Sequence, residues 1–114
     1  MILVVGGAGA GKREYIKSLG YADGDIADAA FGLHPVIINV QDMIYNTPGI
    51  GGELLEPLCA KEIVVCDEVG SGVIPLARDG RDAREEIGRL CVMLAKRAER
   101  VVRVVAGIPV IIKG

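Results

Sequence analysis

The chain has 114 residues, a formal net charge of −2, 51% apolar side chains, one Phe and no Trp. That length suits one domain with an interior of Val, Ile, Leu and Ala, as in an α/β sheet buried on both faces. The charge offers no general attraction to nucleic acid or anionic membranes, and no apolar run nears the ~20 residues of a membrane span.

Residues 2–5 predict a short buried strand, and the glycine-rich stretch 6–13 follows it directly. Met1–Val5 carries no basic flank, so a secretory leader is not expected. Residues 12–19 predict a helix stopped at Gly20. The connector 21–35 predicts at most a short helical turn around Asp25–Ala30. Val36–Val40 predicts the second strand and Gln41–Tyr45 a helical turn. A glycine-rich stretch, 47–52, then precedes a short helix over Glu53–Lys61, which Pro57 disturbs. Ile63–Cys66 is the third strand. Residues 81–98 carry the clearest helical period, with Ala83, Ile87, Leu90, Cys91, Leu94 and Ala98 on one side. Val101–Ala106 and Val110–Lys113 predict a closing antiparallel hairpin linked through Gly107, Ile108 and Pro109. This order is an α/β layered domain, residues 1–114, with a mostly parallel sheet and an antiparallel C-terminal edge.

The cysteines, Cys59, Cys66 and Cys91, are odd in number and lack C-x-x-C spacing. They read as reduced, buried thiols of a cytoplasmic protein.

Two segments carry chemistry. Gly6, Gly7, Ala8, Gly9, Ala10, Gly11, Lys12 and Arg13 match the phosphate-loop spacing G-x-x-x-x-G-K-[ST] up to its last position, where Arg13 replaces the hydroxyl residue. Glycines let backbone amides curl round an anion, and the lysine neutralises phosphate oxygens. The hydroxyl would help hold Mg²⁺. Arg13 is open to two readings, a second phosphate contact or a solvent-facing helix residue. The second segment is Ile63–Cys66 followed by Asp67 and Glu68, an apolar strand ending in acids like a Walker B strand, where a carboxylate reaches Mg²⁺. Asp42 reads equally as a site acid or a helix N-terminal acid, and His34, the only histidine, reads as a loop residue.

Three segments together resemble the adenosylcobinamide kinase / adenosylcobinamide-phosphate guanylyltransferase family of cobalamin biosynthesis. They are Met1–Ala8 with Gly11-Lys12; Asp67-Glu68-Val69-Gly70-Ser71-Gly72-Val73-Ile74-Pro75; and Arg84 with Ile87–Leu90, continuing to Val104–Pro109 and Lys113. The resemblance implies a P-loop NTPase-like fold and a homotrimer. It implies phosphoryl transfer from ATP or GTP to the adenosylcobinamide hydroxyl, and guanylyl transfer through a histidine. The segment that holds this histidine in the family has no counterpart here, so that role is not carried to His34. Asn39 stands where the family's central strand ends in an acid, and Asp67 where its signature has Asn.

The resulting expectation is a nucleotide-binding kinase with Mg²⁺ at a weakened site. Lys12 and Glu68 are assigned catalysis, Gly6–Arg13 nucleotide binding and Asp67 the metal. The alternative is a non-catalytic relative acting as a nucleotide sensor or assembly protein. A third reading is a scaffold whose loop binds nothing.

Overall fold

The computed structural model describes residues 1–68 and 78–114. Residues 69–75 of the resemblance segment lie outside them. Strand β1 (Ile2–Gly6) leads through the glycine loop into α1 (Lys12–Ser18). A 3-10 turn at Asp23–Asp25 precedes β2 (Ile26–Asp28) and then β3 (Val36–Ile38). Helices α2 (Val40–Asn46) and α3 (Gly51–Cys59) cross to β4 (Ile63–Asp67). Helix α4 (Arg78–Arg97) leads to β5 (Arg100–Val105) and β6 (Ile108–Lys113).

The described strands form one sheet in the order β2-β3-β4-β1-β5-β6. All neighbours are parallel except β5 and β6. This is an α/β, P-loop NTPase-like architecture. Both faces are apolar, which is why the inner strands read as continuous runs of Val, Ile and Leu. Leu3, Ile37, Val64, Cys66 and Val101 pack under α2, α3 and α4. Val4, Val36, Ile38, Val65 and Val102 pack with Ile16 of α1 on the other face. The predicted side of α4 is the one buried: Ala83, Ile87, Leu90, Leu94 and Ala98 are in the core, and Cys91 is half-buried. Lys113 donates from Nζ to the carbonyls of Ala95 (2.9 Å) and Lys96 (3.2 Å), closing the end of α4.

Three local expectations are corrected. A strand, β2, stands where a helical turn was expected around Asp25–Ala30. Ile26 and Ala27 are buried by pairing with Val36 and Ile37, a tertiary contact that three residues cannot announce by periodicity. Val40 begins α2 instead of ending a strand, because Asn39 adopts a left-handed conformation (φ 56°, ψ 41°). Pro57 sits inside α3, whose Leu54 and Leu58 are buried; that burial outweighs the missing backbone donor.

The final hairpin is tighter than expected. Ile108 and Pro109 belong to β6, and Ala106 and Gly107 alone make the turn, with φ of 49° and 78°. Two consecutive positive φ values define the primed hairpin turn that favours Asn-Gly. Ala106→Asn is therefore expected to stabilise the fold by about 0.5–1 kcal/mol, since an L-residue without a local polar group pays for this conformation. A rise in Tm of roughly 2–6 °C would register it, and an unchanged melt would count against the left-handed turn.

Candidate phosphate-binding site

The register of β1 on β4 sets the site. Gly6 lies directly beside Asp67, so the end of β1 and the acid end of β4 emerge together. From there the loop turns sharply. The Ala10 N–H donates to the Gly7 carbonyl (3.1 Å), and Gly9 and Gly11 take φ of 74° and 96°, conformations that glycine adopts freely.

Two contacts tie the loop to β5 and β6. A Cβ at Gly6 would stand 2.6 Å from the Val104 carbonyl oxygen, and one at Gly11 would stand 3.1 Å from the Gly107 Cα. The Gly107 N–H donates to the Ala10 carbonyl at 2.7 Å. The hairpin turn thus braces the loop from outside.

Lys12 points inward. Its side chain is 9% exposed, and its ammonium lies 2.8 Å from Asp67 Oδ1 and donates to the Gly7 carbonyl at 2.6 Å. A cavity of about 250 Å³ opens beside it. Ala8, Gly9, Ala10, Gly11, Lys12, Arg13 and Glu14 line one side, and Ile38, Asn39, Val65 and Asp67 the other. The cavity lies outside the carboxyl ends of parallel strands, the general location of ligand sites in open α/β sheets.

Other predicted residues are engaged differently or lie away from the cavity. The Glu68 carboxylate is engaged by Arg103 of β5 through two bonds, Nε to Oε1 at 2.7 Å and Nη2 to Oε2 at 3.0 Å. Glu68 is not among the residues lining the cavity beside Lys12. Arg13 lines the cavity rim, but its guanidinium reaches outward to Asp23 Oδ1 at 3.3 Å. Lys17 meets the same oxygen at 2.9 Å, and Lys17 and then Arg13 hold the Asp23 carboxyl below its ordinary range. Asp42 is exposed in the first turn of α2, and His34 is exposed in a loop.

Sequence reasoning passed over Gln41, Asp28 and Arg103. Gln41 is 5% exposed. Its Oε1 accepts the Asp67 N–H at 2.9 Å, and its Nε2 donates to Asn39 Oδ1 at 3.3 Å. Asn39 Nδ2 in turn donates to Asp28 Oδ1 at 2.8 Å. Nothing local marks Gln41, which stands between Val40 and the charged Asp42 in the first turn of α2.

All three cysteines are free. The neighbouring Cys91 thiol, with burial, pushes the Cys66 thiol well above its ordinary value, which keeps it protonated. Among the described residues, no group of three or more His, Cys, Asp or Glu side chains is arranged to hold a metal ion unaided.

A glycine loop joining the sheet's β1 to a helix, with its lysine against an acid on the neighbouring strand, defines a phosphate-loop α/β protein. The family model described as cobinamide kinase / cobinamide phosphate guanyltransferase matches residues 52–112, more than half of the chain. The chain belongs to that family. The match runs from α3 to β6 and includes Asp67, Glu68 and Arg103, while the glycine loop lies before it. The bifunctional adenosylcobalamin biosynthesis protein CobP of Pseudomonas aeruginosa is 42% identical over 62 residues, covering 54% of this chain. The matched stretch spans 36% of that relative's length.

Proposed function

We propose that this protein binds a nucleoside triphosphate, ATP or GTP, at the Lys12 cavity and serves a kinase step of cobalamin biosynthesis. The acceptor would be the hydroxyl of adenosylcobinamide. The observation that carries the reading is the Lys12 ammonium, held between the Gly7 carbonyl and the Asp67 carboxylate at the mouth of the cavity. In this reading the loop amides cradle the phosphates. Lys12 leaves Asp67 to meet phosphate oxygens and stabilises charge on the transferred group.

Mg²⁺ fits the donor set in the usual manner, through one carboxylate plus substrate phosphates, and Asp67 is the residue that would hold it. Bound there, the ion would offset negative charge on the phosphates. Glu68, engaged by Arg103, would act from the side of β5 and not from within the cavity. Catalysis would rest on positioning and electrostatics, with no covalent residue of the protein. By family likeness the working protein would be a homotrimer in the cytoplasm.

One observation favours the second reading, a nucleotide sensor that has lost turnover. Position 13 carries no hydroxyl, and its guanidinium is committed to Asp23. Arg13→Ser tests it. Losing an exposed, solvent-screened ion pair costs little. A new hydroxyl ligand is expected to raise Mg²⁺-dependent nucleotide affinity by roughly 5- to 10-fold, the worth of one hydrogen bond. A folded variant with unchanged affinity would show that position 13 is not the weak point of the site.

Calorimetric titration of ATP and GTP, with and without Mg²⁺, tests the proposal as a whole. Binding followed by phosphoryl transfer to adenosylcobinamide supports the kinase. Binding without transfer supports the sensor. No heat and no thermal shift at millimolar nucleotide overturns both.

A further inference from the structure

We infer that Gln41 is a positioning residue that holds Asp67 in register for its contact with Lys12 and for the cation of a bound nucleotide; the cation half rests on the nucleotide reading above.

The need for such a residue follows from the ladder. The last pair between β3 and β4 is Ile37 with Val64, yet β4 continues to Asp67. On this edge the Ile63 N–H has a backbone acceptor, the Pro35 carbonyl at 3.3 Å. Four residues on, the Asp67 N–H faces the same way, but β3 has ended at Ile38 and the chain has turned at Asn39 into α2. The Gln41 carboxamide takes the place of the missing strand and accepts that N–H at 2.9 Å.

Gln41 is itself held. Its amide donates to Asn39 Oδ1, and Asn39 donates to Asp28 Oδ1 at the end of β2. A chain of bonds therefore runs from Asp28 through Asn39 and Gln41 to Asp67, and from the Asp67 carboxylate to Lys12. It links the carboxyl ends of β2, β3 and β4 to the phosphate loop. A carboxamide buried this deeply is retained at a cost unless both its ends are satisfied, and here both are. When phosphate oxygens draw Lys12 away, the Asp67 carboxylate loses its cation. The Gln41 clamp on its main chain then becomes what keeps it aimed at the cavity.

Gln41→Met, of similar length and without polar atoms, separates this role from plain packing. Two readouts are expected. In the free protein, amide hydrogen exchange at Asp67 accelerates at least tenfold while Val64 and Val65 stay protected. In titrations, Mg²⁺-nucleotide affinity falls about tenfold, the worth of one buried hydrogen bond, while affinity without Mg²⁺ changes less than twofold.

A parallel fall of both affinities would overturn the inference, as would an Asp67 amide that exchanges freely in the wild-type protein. If wild-type protein binds no nucleotide, the functional proposal fails and the cation half fails with it, while the exchange readout still decides the clamp. Should Gln41→Met not fold, Asn39→Ala is measured the same way. It leaves Gln41 Oε1 in place but unsupported, and a smaller split in the same direction is expected. Equal loss with and without Mg²⁺ there would overturn the inference.

Discussion

Lys12→Ala is expected to abolish measurable nucleotide binding, with a loss of affinity of at least ~100-fold. A lysine meeting two phosphate groups makes two charge-assisted bonds, each worth about 1.5–3 kcal/mol, and every 1.4 kcal/mol is tenfold. The same substitution acts on the free protein. It leaves the Asp67 carboxylate, which is 22% exposed, without its cation, and the Gly7 carbonyl with the Ala10 N–H as its remaining donor. A destabilisation of about 1–3 kcal/mol should follow. Calorimetry and thermal unfolding on one preparation separate the two effects. A folded Lys12→Ala protein that binds ATP or GTP like the wild type would remove the lysine from phosphate contact, and the kinase and sensor readings would go with it.

The second large effect concerns the first glycine of the loop. Gly6→Ala is expected to destabilise by about 2–3 kcal/mol, lowering Tm by roughly 10–20 °C. The reason is not phosphate approach. A Cβ at Gly6 would sit 2.6 Å from the Val104 carbonyl oxygen, which is backbone of the adjacent strand β5 and has no side chain to swing aside. The strands would have to part where the loop leaves the sheet. Gly7→Ala is the control. A Cβ there meets nothing within 4 Å, and Gly7 does not need a positive φ. Its melt should equal or slightly exceed that of the wild type, through reduced freedom of the unfolded chain. Identical melts for Gly6→Ala and the wild type would show that β1 and β5 are not so closely opposed.

Much of the fold is legible in local pattern. Strand β1 is an apolar run that ends in the glycine loop and β4 one that ends in acids, and α4 declares itself by its 3.6-residue period. The α/β class, the mostly parallel sheet and the edge hairpin follow from the order of those elements, and family membership was carried by the motifs of the second half. Less legible was β2, whose three residues are strand only because β3 lies beside them. Ala106 also gave no sign of the turn it occupies, since alanine is a poor choice for positive φ.

The candidate site divides in the same way. Spacing nominated Gly6–Arg13, because a loop that wraps an anion needs its glycines and lysine within a few residues, and the apolar run ending in acids nominated Asp67. The same acidic end nominated Glu68, but only the pairing of β5 with β1 brings Arg103 within reach to engage it. Gln41 is the furthest from legibility. Its partner amide is 26 residues away and lacks an acceptor only because β3 stops short of β4.

The amino-acid sequence by itself determined the apolar strands, the long amphipathic helix and the glycine loop, since each is specified by neighbours a few residues apart. Only the tertiary structure decided that Lys12 rests on Asp67, that β5 demands a glycine at position 6, and that Gln41 completes the edge of β4. Those contacts depend on strand register, which joins residues tens of positions apart and leaves no trace in local composition.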